Sequence, residues 1–181
     1  MDVLIIIDTQ KDFIDGILGT PEAVVAAQNI VSRIENSKGE LILFTQDTHQ
    51  DDYLDTAEGK KLPVVHCIEN TDGWQIDPGV LSAWKNNPDT VLLSDHAHIF
   101  QKPVFGCLEL AHYLCQRVDE ISKIELVGIC TDICVISNAL LLKNFMPDTP
   151  VFVNSSCCAA TTPRNHEKAL DIMTACHIDI V

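Results

Sequence analysis

Seven residues at the start of the chain, "DVLIIID" (2–8), limit what it can fold into. A short apolar run without alternation, closed by an acid, is a strand covered on both faces. That is the pattern of a parallel sheet packed by helices on either side. Comparable runs recur at "ELILFTQD" (40–47), "TVLLSD" (90–95), "KIELVGIC" (123–130), "PVFVNSS" (150–156) and "IDIV" (178–181). Helical spacing fills the intervals at 20–37, 78–86, 107–118, roughly 133–146, and 164–176. Thr20 is placed to cap the first of these, with Pro21 in its first turn. Strands alternating with helices predict an α/β fold. It is a parallel sheet of about six strands with helices on both faces, a Rossmann-type three-layer sandwich. No repeat, low-complexity tract or linker divides the chain, so one domain over 1–181 is expected. The polar, Gly- and Pro-containing stretch 48–78 is predicted to be a long loop, and long loops in compact domains usually carry function.

Charge narrows the function. There are 26 acidic residues against 12 Lys and Arg, a formal net charge of −14. A nucleic-acid or anionic-membrane role is excluded on that balance, because phosphates need a basic face. No apolar stretch is long enough to span a bilayer. Met1-Asp2 runs directly into the first strand with no basic segment before it, so a cytoplasmic location is expected. The eight cysteines stand mostly among apolar neighbours. They read as free thiols, packed as small hydrophobes in a reducing compartment.

Open parallel sheets bind ligands beyond the carboxyl ends of their strands. Asp8 ends the first strand; Asp47 ends the second, with His49 just beyond. The third runs out toward His96, His98 and Lys102. The fourth ends at Gly128-Ile129-Cys130, and Cys134 opens the next helix. A helix N-terminus and a nearby lysine lower a thiol pKa, and the thiolate is the reactive form. Asp8 is placed to take the thiol proton, and backbone N–H groups at the turn to hold an oxyanion. That set performs acyl transfer by covalent catalysis. Taken singly, each residue has a plainer explanation. A cysteine in an apolar run is more often core, an acid at a strand end is common, and a lone lysine is usually solvated. Zinc held by Cys130, Cys134, Cys157 and Cys158 is a rival, although the C-x-x-C spacing is missing. A redox pair meets the same objection, since the spacing is C-x-x-x-C.

Three segments carry a resemblance: "IIIDTQKDFIDG" (5–16), "QKPVFG" (101–106) and "GICTDICVISNAL" (128–140). In this order they resemble the catalytic blocks of the isochorismatase-like cysteine hydrolases, whose best-known amidases are the nicotinamidases. The resemblance implies a hydrolase that cleaves the C–N bond of a small amide through a thioester. Asp8 would be the base, Cys134 the nucleophile and Lys102 their electrostatic partner. It implies a cis peptide at Ile129–Cys130, with the N–H groups of Cys130 and Cys134 forming the oxyanion hole, and Phe13 as a wall of the substrate pocket. "TQDTHQDDYLDTAEGKKLPVVHC" (45–67) is similar to the metal loop of the nicotinamidase branch. Asp47, His49 and His66 would hold one divalent ion, with Glu58 or Asp55 as a further ligand. Glu58 is favoured because it stands about one turn of loop before His66. An O/N donor set suits Zn, Mn or Fe, with no organic cofactor; otherwise His49 and His66 merely hydrogen-bond within the loop. Nicotinamidases stack their pyridine between aromatic residues, one just before the last metal-binding His. Here that segment is Lys61-Leu62-Pro63-Val64-Val65, without an aromatic, which favours an aliphatic, carbamoyl or ureido amide over nicotinamide. The alternatives are a catalytically spent binding or scaffold relative, and a carbamoyl or ureido hydrolase that uses no metal. The family often assembles as dimers or tetramers, so a homo-oligomer is possible.

Overall fold

The computed structural model describes residues 1–93 and 97–181. The first apolar run forms β1 (Asp2–Ile7). Val3, Ile5 and Ile7 face one side and Leu4 and Ile6 the other, all at most 1% exposed. β1 pairs in parallel with β2 (Leu41–Asp47) and with β4 (Lys123–Ile129). β3 (Ile99–Lys102), β5 (Val151–Ala159) and β6 (Asp179–Ile180) complete a six-stranded, all-parallel sheet in the order β3-β2-β1-β4-β5-β6. Parallel neighbours need crossovers, and helices supply them. The short α1 (Lys11–Ile14), α2 (Pro21–Glu35) and α3 (Pro78–Asn86) cover the face of Leu4 and Ile6. α4 (Leu108–Cys115), α5 (Ile136–Phe145) and α6 (Pro163–Ala175) cover the other. The winding therefore reverses between β1 and β4. In such sheets that switch point opens a crevice at the carboxyl ends of the strands. None of the described helices is long and apolar enough to cross a membrane.

Local signals act as their chemistry requires. Thr20 caps α2 by accepting from the Ala23 N–H at 3.0 Å, with Pro21 in the first turn. Gly128 has φ +130°, and a Cβ there would lie 2.1 Å from the Ile7 carbonyl oxygen. Only glycine lets β4 approach β1 at the switch point.

Two expectations are corrected. The strand expected over 90–95 is absent among the described residues: Val91 makes a single bridge to Leu41, and Leu92 is exposed. Residues 94–95 of that segment, and His96, lie outside the described residues. The edge strand is Ile99–Lys102 instead. An apolar run signals burial, but pairing to β2 is decided by which residues meet Phe44–Asp47. Lys102 is therefore the last residue of a strand, in register with Asp47. His98 is absorbed by the backbone: its Nδ1–H donates to the Ile42 carbonyl at 2.7 Å, and its Nε2 accepts from the Leu93 N–H at 3.1 Å. The helix expected from 133 starts earlier, as a π-helical turn over Thr131–Val135 that leads into α5.

A half-buried ion cluster ties α2 to the sheet. Arg33 donates two 2.8 Å bonds to Glu40 and bonds of 2.9 and 3.1 Å to Glu125 of β4. Burial pushes the Glu40 carboxyl up, but Arg33 and the Ser37 hydroxyl more than offset it, so its pKa lies below the usual carboxylate range. A depressed folded-state pKa contributes stability above the unfolded value of about 4.3, which is lost as pH falls through the lower folded value. Glu40→Gln is therefore expected to be less stable than wild type near neutrality, with the gap closing below about pH 4. Urea midpoints of both proteins across that range test this; a gap independent of pH would contradict it.

Candidate active site

Four strand ends bring the sequence-predicted residues together. Asp8 follows β1 in the left-handed region, with φ +45°. Its Oδ1 accepts from the Thr45 hydroxyl of β2 at 2.6 Å. Lys102 closes β3, and its Nζ lies 2.6 Å from Asp8 Oδ2, 3.1 Å from Asp47 Oδ1 and 3.6 Å from Cys134 Sγ. Cys134 sits in the π-helical turn after β4, and the Ile129–Cys130 peptide before it is cis. Asp8 is 0%, Lys102 2% and Cys134 5% exposed.

Burial and charge set the protonation states. Burial disfavours the Lys102 ammonium, but the carboxylates of Asp8 and Asp47 beside it outweigh that, so the group stays charged. Burial, opposed by Lys102 and aided by Asp47, raises the Asp8 carboxyl above its ordinary value. For Cys134, burial first and Asp8 second push the thiol well above its ordinary value, with Lys102 pulling the other way. The acidified thiol expected at a helix start is therefore not found. At rest the site pairs a protonated thiol with a carboxylate of raised basicity. That arrangement suits proton transfer during attack rather than a standing thiolate.

A second cluster adjoins the first through Asp47, whose Oδ1 faces Lys102. Its Oδ2 lies 3.0 Å from His49 Nε2 and 3.7 Å from His66 Nε2. Ligand atoms of Asp47, His49 and His66 all fall within 4.8 Å of one another. His66 donates its Nδ1–H to the Val64 carbonyl at 2.8 Å, which leaves Nε2 with its lone pair toward Asp47. The buried His49 Nε2 is not aligned to bond Asp47 and has no hydrogen-bond partner among the described residues. Glu58 Oε1 lies 3.8 Å from His49 Nε2, and burial together with Asp47 raises its pKa. Asp55 is exposed at the end of a 3-10 turn, Tyr53–Asp55, so Glu58 and not Asp55 adjoins the cluster. Two imidazoles and the carboxylates of Asp47 and Glu58 converge here, an O/N donor set that fits a divalent cation. The four cysteines weighed as a zinc site form no such group among the described residues.

Phe13 packs edge-on to His66, with ring centroids 5.4 Å apart. Asp132 accepts from the Thr161 N–H at 3.0 Å and from its hydroxyl, and so anchors the π-helical turn to the start of α6. Sequence reasoning missed three residues. Tyr53 packs against His49 and His66 at 4.6 and 5.0 Å and donates to the Leu62 carbonyl at 3.0 Å. Gln10 bonds the backbone of Asp47, and Asp12 accepts from the Cys67 N–H at 2.8 Å. The signal for Gln10 and Asp12 was a run of polar residues straight after the first buried strand, whereas Tyr53 lies in the loop after β2.

The isochorismatase domain model matches residues 2–181, and the chain belongs to that family. It is an isochorismatase-family hydrolase. No curated protein matches it. Among solved structures it is similar to the pyrazinamidase of Pyrococcus horikoshii in complex with zinc. The identity is 24%, covering 99% of this chain and 98% of that one, at a TM-score of 0.75. The pyrazinamidase/nicotinamidase of Streptococcus mutans shares 22% identity, with full coverage of both chains and a TM-score of 0.80. Yeast nicotinamidase bound to nicotinaldehyde shares 18%, covering 100% of this chain and 99% of that one, at 0.79. At these identities the likeness is one of fold.

The resting protonation states are open to a direct check. Iodoacetamide at neutral pH is expected to label the exposed Cys176 before the buried Cys134. Asp8→Asn should speed labelling of Cys134 by removing the opposing charge, and Lys102→Gln should slow it. Peptide mapping in which Cys134 leads in the wild type, or slows in Asp8→Asn, contradicts the assignment.

Proposed function

We propose that this chain is a cysteine amidase cleaving the C–N bond of a small amide. The observation that carries the proposal is one buried ammonium, Lys102 Nζ, lying 2.6 Å from Asp8 and 3.6 Å from Cys134 at the switch point of the sheet. Asp8 takes the thiol proton as Sγ bonds to the amide carbon, and the carbonyl electron pair moves onto oxygen. Lys102 stabilises charge developing on sulfur. The N–H groups of Cys130 and Cys134 donate to the oxyanion. The tetrahedral adduct collapses as Asp8 returns the proton to the leaving nitrogen, releasing ammonia or an amine and leaving a thioester. Asp8 then deprotonates a water that adds to the thioester carbon. Collapse frees the carboxylic acid and restores the thiol.

Asp47, His49, His66 and Glu58 would hold one Zn, Mn or Fe ion. When bound, that ion supplies an anchor for a substrate lone pair remote from the scissile bond. Phe13 walls the pocket beside His66. Tyr53 is 1% exposed and occupied in packing both histidines, so it is no stacking surface for a flat ring. Val65, just before His66, is half exposed. An aliphatic, carbamoyl or ureido amide therefore suits the pocket better than nicotinamide. The net charge of −14 and the free thiols support a small-molecule enzyme of the reducing cytoplasm.

Ammonia release with a panel of small amides tests the class. Cys134→Ala is expected to abolish turnover while the protein stays folded, and Asp8→Asn to cost about 10²–10⁴-fold in rate. Near wild-type activity in Cys134→Ala would sink the mechanism. Chelation should raise KM more than it lowers kcat, because the ion positions substrate and does not attack it. An aliphatic or ureido amide should exceed nicotinamide in kcat/KM; a panel led clearly by nicotinamide refutes that preference.

A further inference from the structure

Asp47 is the joint between the two clusters, with one carboxylate oxygen toward Lys102 and the other toward His49 and His66. Its own backbone is gripped from the first catalytic block. Gln10, 0% exposed, accepts from the Asp47 N–H at 2.7 Å through Oε1 and donates through Nε2 to the Asp47 carbonyl at 2.8 Å. The same Nε2 donates to the Trp74 carbonyl at 2.9 Å. Gln46 also reaches that carbonyl, at 2.9 Å. One amide thus closes both hydrogen-bonding groups of a single residue at the end of β2 and ties them to the loop that follows His66. A primary amide is the one side chain that offers a donor and an acceptor in that fork.

We infer that Gln10 is a positioning residue. It sets the angle at which the Asp47 carboxylate divides between the Lys102 ammonium and the metal cluster. The inference rests on the proposal that Asp47 is a metal ligand. Partners that orient a ligating carboxylate typically change metal affinity about 10–100-fold when removed. Gln10 acts on both clusters through Asp47, so its loss should weaken metal binding and slow turnover together. Loss of the metal alone should act chiefly on KM.

The test is zinc titration of the chelator-stripped full-length protein, followed by calorimetry or a competing chromophoric chelator. Gln10→Glu keeps the size and the acceptor but loses both donors; Gln10→Leu loses all three bonds. Each is expected to bind zinc at least about tenfold more weakly than wild type. At saturating zinc, each should retain a lowered kcat. Ile34→Val, a core change in α2, controls for general destabilisation and should leave zinc affinity unchanged. Wild-type affinity in both folded Gln10 variants overturns the inference, as does an equal loss in Ile34→Val. Failure of both variants to fold also overturns it, making Gln10 part of the fold alone. Zinc-independent behaviour of the wild type instead removes the metal proposal on which the inference stands.

Discussion

The Lys102 ammonium lies buried among Asp8, Asp47 and Cys134, and the carboxyl edge of the sheet is organised around keeping it charged. Removing an ion from water costs several kcal/mol, so such a group survives only where opposite charges and hydrogen bonds meet it closely. Two carboxylates do so here, and neither is free to wander. Asp8 is fixed by the Thr45 hydroxyl, and Asp47 by strand register and by Gln10. Deleting either acid would leave a buried cation undercompensated. The same two acids, with Glu58, concentrate negative charge in the pocket, and a divalent ion at the proposed site of His49 and His66 would offset it. The proposed triad and the proposed metal cluster are thus one electrostatic unit divided by the two oxygens of Asp47.

Much of this was legible in the sequence, for identifiable reasons. "DVLIIID" is apolar on both faces between its acidic ends because its strand is central, and so it announces itself. Thr20-Pro21 marks a helix start through its own side-chain chemistry. Asp8, Asp47, Lys102 and Cys134 could be placed at one edge because parallel topology puts every strand end on the same side. The edge strand β3 was misplaced by several residues. "TVLLSD" is the more apolar stretch, but "IFQK" wins the pairing with β2, because Lys102 must stand opposite Asp47. Propensity reads one segment at a time and has no access to that ion pair.

Cys134 shows a different limit. Its place near a helix start argues for an acidic thiol. Depth of burial and the distance to Asp8 decide the outcome, and neither is written in local sequence. Gln10 escaped notice for a related reason. It bonds backbone rather than side chains, across a separation of 37 residues, so no residue type at the far end betrays the contact.

A neutral resting thiol has a consequence for selectivity among reactions. A standing thiolate would attack oxidants and electrophiles of many kinds, and its rate would follow its own pKa. With burial and Asp8 holding the thiol protonated, the proposed nucleophile forms only as its proton moves to Asp8. Attack then becomes favourable only when an acceptor carbon sits close to Sγ and its oxygen can receive the displaced charge. The donors proposed for that charge are the backbone N–H groups of Cys130, just before the π-helical turn, and of Cys134 within it, and the turn is anchored from Asp132 to Thr161. On the proposed mechanism Asp132 therefore contributes to the chemistry through position, without touching a reacting atom. It does so by fixing the turn on which both the nucleophile and the oxyanion donors stand.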